Sequence, residues 1–189
     1  MKRNLITAVL MTIVTTVLLG IVYPFVVTAL SQVLFHDKAN GQLISRNGVV
    51  IGSRIIGQPF TSDRYFHSRP SAAGNGYDAA NSSASNLGPT NQKLIDRVKG
   101  DVATLRAENP NQPIPADLVT TSGSGLDPDI TPAGAFFQVP RIAHVRGLSE
   151  DRVRVLVESH VQQRQWGFLG EPRVNVLALN LALDQEARK

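Results

Sequence analysis

The sequence contains no cysteine, one tryptophan and only five lysines among 189 residues. Without cysteine, the chain cannot form a disulfide framework, a thiolate zinc site or a cysteine nucleophile. The formal net charge is +4, and Lys2 and Arg3 supply two of these charges, which leaves +2 for the part after Phe35. Because nucleic-acid binding requires many clustered basic residues, this charge argues against a nucleic-acid partner.

Several catalytic and nucleotide-binding motifs are also missing. No GxxxxGK[ST] loop occurs, so the chain has no Walker-type phosphate cradle. Neither GxSxG nor SxxK is present, and Ser122 and Ser124 have no histidine or lysine nearby in sequence to act as a base. The four histidines show no HxxxH or HExxH spacing, and we expect no metal site. The residues alone therefore predict an anchored binding or scaffolding module, with a membrane-tethered hydrolase as the competing class.

Charge is absent from Leu5 to Phe35, a stretch of 31 residues. As a helix this stretch is about 46 Å long, which exceeds the roughly 30 Å hydrocarbon core of a bilayer. A cleaved signal peptide is the alternative, since Val27-Thr28-Ala29 resembles a cleavage site. The apolar stretch before that site is, however, longer than the apolar region of a usual signal peptide. We therefore expect a retained transmembrane anchor over residues 1–36 and one domain over residues 37–189.

The charges beside this stretch predict its orientation. Lys2 and Arg3 precede it, whereas His36, Asp37 and Lys38 after it nearly cancel. Because positively charged flanks stay in the cytoplasm, we expect a cytoplasmic N-terminus and an extracytoplasmic domain.

Small or weakly polar residues recur every four positions along the anchor. Such residues let helices approach closely in a membrane, where no hydrophobic force drives association. This stripe is our candidate face for docking to another membrane subunit. The alternative is that the anchor has no partner helix and merely tolerates small residues at these positions. It consists of Ala8, Thr12, Thr16, Gly20, Pro24 and Thr28. Pro24 also removes a hydrogen bond to Gly20, so we expect a local kink or a compensating neighbour.

The remainder of the chain is typical of the α+β class: one mixed α/β domain with long Gly/Ser/Asn-rich loops. Asn47-Gly48 predicts a type I′ hairpin between residues 42–45 and 49–56. In residues 69–89, alanine, serine, asparagine and glycine make up 15 of 21 positions, so this loop is either mobile or fixed through Tyr77 and Leu87. An amphipathic helix is expected over residues 91–108, capped near Thr90.

The C-terminal part shows further helix signals. Thr131 with Pro132 predicts an N-cap followed by a first-turn proline, and Pro140 should end or kink that helix. Ser149 predicts the N-terminus of another helix, which we expect Gly167 and Gly170 to close. Residues 173–183 are rich in valine and leucine and favour a buried strand, with a final helix as the alternative.

Three acidic residues are candidates for oxygen ligands or for a surface that attracts cations: Asp78, Asp127 and Asp129. The alternative is that Asp127 and Asp129 are turn formers on either side of Pro128.

Several blocks of residues, in order along nearly the whole chain, resemble the C subunit of the bacterial Kdp potassium-transporting ATPase. They are residues 69–72 (RPSA), 77–79 (YDA), 85–89 (SNLGP), 117–120 (DLVT), 122–128 (SGSGLDP), Gln138-Val139-x-Arg141-x-Ala143 and the run from Gly170 to Asn180. The resemblance implies an accessory subunit without catalytic residues or an intrinsic cofactor, held in the bacterial inner membrane by its single helix.

The same resemblance implies partners and a role. The partners would be a P-type ATPase subunit that hydrolyses ATP, a channel-like subunit that selects potassium, and a small peptide subunit. The C subunit is described as a catalytic chaperone that raises the ATP affinity of the pump subunit. One proposal for the family assigns ATP binding to Ser122, Gly123, Ser124, Gly125 and Gln138. Our orientation places these residues across the bilayer from ATP, and the alternative is that Gln138 bonds the backbone of the 122–125 loop.

Overall fold

The computed structural model describes residues 1–186, and its contacts divide the chain into two compact units. The first unit comprises residues 1–51 and the second begins at Gly52. This division follows the contacts between residues and does not locate a membrane surface. The expected boundary between anchor and domain at residues 36 and 37 therefore stays a prediction.

The first unit begins with one apolar helix, Lys2–Leu34, which is long and apolar enough to cross a membrane. It consists of α1 (Lys2–Thr15), a π-helical segment (Thr16–Val22) and α2 (Tyr23–Leu34). Proline has no N–H and disrupts the regular i→i−4 bonding of the preceding turn. Pro24 lies in the first turn of α2, directly after the π-helical segment. The wider turn is the local adjustment that the proline was expected to require.

A short helix and a hairpin follow, and the second strand of the hairpin continues past Ile51, the last residue of the first unit. Helix α3 (His36–Ala39) is followed by β1 (Leu43–Arg46) and β2 (Val49–Ser53), which pair in a two-stranded sheet. Asn47 and Gly48 connect the strands with φ values of 53° and 78°, as a type I′ turn requires. The predicted hairpin is confirmed, although β2 ends at Ser53 rather than at residue 56.

The second unit is a mixed helix and sheet domain, as predicted. Its elements are α4 (Gln92–Glu108), a 3₁₀ turn (Ala116–Leu118), β3 (Asp129–Ile130), α5 (Pro132–Phe137), α6 (Val139–Arg146), α7 (Glu150–His160), β4 (Val161–Gln162), β5 (Arg173–Asn175) and α8 (Val176–Glu186). The three strands form an antiparallel sheet in the order β3-β5-β4, with Val174 opposite both Ile130 and Val161.

Helices α5 to α8 bury their apolar residues against this sheet in one core. The fully buried side chains include Phe66, Ile142, Val153, Val157, Val174, Leu179 and Leu183. Burying side chains of this size stabilises a domain by about 1.5–3 kcal/mol each before the ordering entropy is subtracted.

The predicted helix starts in this region are confirmed. The Thr131 hydroxyl accepts a hydrogen bond from the Gly134 N–H and caps α5, and the Ser149 hydroxyl caps α7 in the same way. Pro140 lies in the first turn of α6, so α5 ends at Phe137 and Gln138 forms the junction. On α4 the cap is Asn91 rather than Thr90.

Two expectations for the C-terminal part are wrong. Residues 173–183 form a strand only as far as Asn175, after which α8 begins, so the alternative of a final helix holds. The Asn175 side chain accepts a hydrogen bond from the Ala178 N–H, which is the bond of a helix cap. Helix α7 already ends at His160, where β4 begins, and Gly167 and Gly170 lie in the turn between β4 and β5.

Candidate functional site

Gln138 lies at the junction between α5 and α6 and is only 2% exposed. Its carbonyl oxygen accepts a hydrogen bond from the His67 N–H at 2.7 Å, and its NH₂ group donates to the His67 carbonyl at 3.1 Å and to the Gly134 carbonyl at 3.2 Å. The side chain therefore binds the backbone of His67 as a neighbouring strand would.

Asn180, on α8, makes the equivalent pair of hydrogen bonds to the backbone of Phe66, the residue before His67. Its carbonyl oxygen accepts from the Phe66 N–H at 2.8 Å, and its NH₂ group donates to the Phe66 carbonyl at 3.0 Å. We call Gln138 and Asn180 together the amide clamp. The clamp bonds the backbone of residues 66 and 67, which belong to no helix or strand. Backbone polar groups that enter a core without such partners are costly.

Arg141 connects the amide clamp to the surface. Its guanidinium donates to the Gln138 side chain at 2.7 Å, pairs with Glu108 at 2.8 Å, and bonds the Tyr65 carbonyl at 3.0 Å. The imidazole of His67 lies in the same region. Burial, and next the positive charge of Arg141, lower the pKa of His67.

The Gly/Ser loop of residues 122–125 packs against the long loop of residues 69–89. The Ser71 hydroxyl donates to the Gly125 carbonyl at 2.6 Å, and the Ser82 hydroxyl donates to the Ser124 carbonyl at 2.9 Å. The Ser124 hydroxyl in turn accepts from the Leu126 N–H, as in a serine turn. The carbonyls of Ser124 and Gly125 thus bind serine hydroxyls of the neighbouring loop.

Tyr77 makes its hydrogen bonds inside the long loop, to Arg69 and Ser71, so its role in fixing the loop to the rest of the domain stays a prediction. Its hydroxyl donates to the Arg69 carbonyl at 2.5 Å, and its backbone N–H donates to the Ser71 hydroxyl at 2.8 Å. Burial raises the pKa of the Tyr77 hydroxyl. Leu87, the other expected anchor, is half-buried.

Gln138 and the 122–125 loop have different hydrogen-bond partners. Gln138 bonds the backbone at His67 and Gly134, and its hydrogen bonds do not include the 122–125 loop. The expectation that Gln138 supports the backbone of that loop is therefore wrong. The amide does bond backbone groups, but its partner His67 lies 71 residues away in sequence and left no local signal.

A charged cleft with a volume of about 270 Å³ lies beside the Gly/Ser loop. Arg69 pairs with Asp127 at 2.9 Å, and Arg173 pairs with Asp129 at 3.0 Å. Asp117, 9% exposed, accepts from the Thr131 N–H at 2.7 Å. Each of these carboxylates thus has a donor within the protein.

The three acidic candidates have different surroundings. Asp127 and Asp129 line the cleft together, and the Asp127 carboxylate accepts from the Asp129 N–H, which is the predicted turn. Burial raises the pKa of Asp129. Asp78 lies outside the residues that line this cleft, and a hydrogen bond from the Asn81 side chain lowers its pKa. Within residues 1–186, no group of three or more histidine, aspartate or glutamate side chains is placed to hold a metal ion.

The predicted docking face of the anchor is exposed along its length. Thr12, Thr16, Gly20, Pro24 and Thr28 are exposed, as is nearly all of this helix. The Thr12 hydroxyl donates to the Ala8 carbonyl of its own helix at 2.9 Å. The small residues are thus available for close helix contact, while the hydroxyl of Thr12 already has a partner.

Comparison with known proteins gives a consistent result. Residues 5–185 match the family model described as KdpC, the K⁺-transporting ATPase, c chain. A potassium-transporting ATPase KdpC subunit of Koribacter versatilis is 69% identical over 97% of this chain and 95% of its own length. Proteins with the same description from Caulobacter vibrioides and Methylobacterium nodulans are 61% and 55% identical over 89% and 100% of this chain, and over 86% and 100% of their own lengths.

Proposed function

The chain belongs to the KdpC family, the c chain of the K⁺-transporting ATPase, and we propose that it is a non-catalytic accessory subunit needed for assembly and stability of that complex. Potassium is the transported ion of the complex. The match over residues 5–185 is the observation that supports this proposal most strongly. The expected partners are the P-type ATPase subunit, the channel-like subunit and the small peptide subunit.

The bonding of the polar residues supports a structural rather than a catalytic role. Gln138 and Asn180 hold backbone groups of the core, and Ser124 caps its own turn. Catalytic side chains need a free donor or acceptor that faces a substrate. The hydrolase alternative gains no support from these contacts.

We further propose that the domain lies outside the cytoplasm, over the outer mouth of the channel-like subunit. The charge pattern around the anchor supports this placement, because Lys2 and Arg3 precede the apolar helix and the flank after it is nearly neutral. ATP lies on the opposite side of the bilayer. Any effect of this chain on ATP affinity would then be a coupling free energy transmitted through the assembled subunits, as expected for a chaperone-like role without direct nucleotide contact.

The absence of cysteine makes this orientation directly testable. We expect Lys99→Cys, at an exposed site on α4, to react with a membrane-impermeant maleimide on intact spheroplasts. Asn4→Cys, beside the positive N-terminal flank, should react only after permeabilisation. The wild-type chain is the control for background labelling. Reaction of Asn4→Cys alone on intact spheroplasts would contradict the proposal and favour direct nucleotide contact.

We propose that Thr12, Thr16, Gly20, Pro24 and Thr28 form the docking face of the anchor for another membrane subunit. The small side chains of this face, and above all the absence of a side chain at Gly20, support close helix contact. Gly20→Leu should therefore reduce co-purification of the other subunits in mild detergent at least about fivefold, since a coupling of roughly 1 kcal/mol is typical of such helix contacts.

The matched control for this replacement is Leu19→Ile, at a neighbouring exposed position outside the stripe. This variant should co-purify as the wild type does. If the Gly20→Leu chain co-purified with the other subunits as well as the wild type does, the proposed docking face would be wrong.

A further inference from the structure

The turn between β4 and β5 presents a group of exposed apolar side chains. Trp166 is 84% exposed, Phe168 68% and Leu169 43%. We call these three residues the aromatic tip. The other aromatic side chains of the described second unit are buried or half-buried, so an exposed tryptophan beside an exposed phenylalanine is unusual. Contiguous exposed apolar surface of this kind typically marks an interaction site.

The backbone holds the aromatic tip in a defined shape. Gln165 and Leu169 exchange two backbone hydrogen bonds of 2.9 Å across the turn, and the rings of Trp166 and Phe168 lie 6.5 Å apart. Trp166 has a φ of 52°, in the left-handed region that bulky residues rarely adopt. Residues held in such strained backbone conformations cluster at functional sites. The strain at Trp166 therefore favours a functional role for its exposed indole ring.

The residues around the aromatic tip carry almost no net charge. Gln162, Gln163 and Gln165 are neutral, and Arg164 pairs with Glu171 at the base of the turn. A partner recognised mainly by electrostatic attraction would require a charge of one sign here. The contact is therefore expected to depend on apolar burial and to be insensitive to salt.

A lipid bilayer is always close to this domain. The apolar helix ends at Leu34 and the second unit begins at Gly52, so only residues 35–51 separate them. Even fully extended, 17 residues span at most about 60 Å, and the chain keeps the aromatic tip at a high local concentration near the membrane surface. Tryptophan favours the interface of a bilayer, where its ring is buried and its N–H remains hydrated.

We propose that the aromatic tip inserts into the interfacial region of the bilayer that holds the N-terminal helix. Trp166 and Phe168 are the inserted side chains, and Leu169 adds apolar area at their base. This contact gives the domain a second attachment to the membrane, separate from the anchor. It does not depend on which side of the membrane the domain occupies.

Trp166 is the only tryptophan, so tryptophan emission, excited at a wavelength that tyrosine does not absorb, reports on the aromatic tip alone. The chain is reconstituted into phosphatidylcholine vesicles that contain lipids brominated either near the headgroup end or near the terminus of the acyl chains. Bromine near the headgroup end should quench the emission by roughly half, and bromine near the terminus should quench it less, because tryptophan stays at the interface. Raising the salt concentration should leave the quenching unchanged.

Two variants control this measurement. Phe168→Ser with Leu169→Ser should lower the quenching of Trp166 at least about twofold, since less apolar area is buried. Val155→Ser, at a 63% exposed position on α7, is the matched control and should have no effect. Unchanged circular dichroism of both variants excludes misfolding. Absence of quenching in the wild-type chain would overturn the proposal. If Trp166→Ser then also released the other subunits of the complex, the aromatic tip would be a protein contact instead.

Discussion

Gly125→Ala is expected to destabilise the domain by about 2–4 kcal/mol, a large part of the 5–15 kcal/mol typical of a domain. Gly125 has a φ of 68°, so an added Cβ introduces strain of about 1–2 kcal/mol. The Cβ would also lie 2.7 Å from the backbone nitrogen of Ala73 and from the carbonyl oxygen of Ser83. Backbone atoms can yield only if the two packed loops separate, which adds the cost of overpacking.

Gly123→Ala is the matched control, because it lies in the same loop, has no positive φ and has no neighbouring atom within 4 Å of the added Cβ. Its effect on stability should be within about 0.5 kcal/mol. Both variants are compared by urea unfolding of the full-length chain in detergent, in the absence of nucleotide. Circular dichroism monitors the unfolding. If Gly123→Ala kept its stability but lowered the ATP affinity of the complex, the loop would have a role in nucleotide binding after all. Equal stability of the two variants would contradict the packing described for Gly125.

Gln138→Leu is expected to cost about 2–4 kcal/mol, although leucine has nearly the same size. The replacement leaves the backbone N–H and carbonyl of His67 without their side-chain partner and removes one acceptor from Arg141. Buried groups without partners incur the full desolvation penalty. The same urea titration in the absence of nucleotide measures the loss.

Gln112→Leu provides the comparison, since Gln112 is exposed in the turn after α4. We expect its stability to match the wild type within about 0.5 kcal/mol. A Gln138→Leu chain as stable as the wild type would mean that the amide clamp contributes little and would reopen a direct functional role for Gln138. Asn180→Leu should behave as Gln138→Leu does, because both clamp residues hold backbone groups in the same way.

The sequence revealed those parts of the fold whose signals are local. Asn47-Gly48 specified the hairpin through the positive φ of both residues. Thr131 and Ser149 marked helix starts with hydroxyls that accept from the backbone N–H three residues on. Each signal depends on interactions within a few residues. Such interactions are the same whatever the tertiary structure around them.

The prediction for residues 173–183 failed because apolar composition does not distinguish a buried strand from a buried helix. Apolar residues occupy most of the circumference of α8, including Leu177, Leu179, Leu181 and Ala182, so the helix lacks the clear polar face of an amphipathic helix. Asn175 was the available signal, since it caps α8 through the Ala178 N–H. The same residue also ends β5, which is why the chain changes from strand to helix there.

The candidate site could be predicted only in part. The Asp127 turn was visible in sequence, whereas its ion pair with Arg69 joins residues that are 58 positions apart. Asn180 and Phe66 are 114 positions apart. Pairings of this kind arise from the tertiary fold. The family resemblance named many of these residues without indicating which of them meet.

The π-helical segment changes the course of the small residues along the anchor. In an α-helix a step of four residues exceeds one turn by about 40°, so a row of residues at this spacing winds around the helix. Wider i→i+5 turns hold more than four residues, and the same step then falls short of a full turn. The step from Thr16 to Gly20 lies inside this segment and reverses the drift of the step from Thr12 to Thr16. The reversed step reduces the total winding of the row around the helix, so more of its small residues can face a single partner helix.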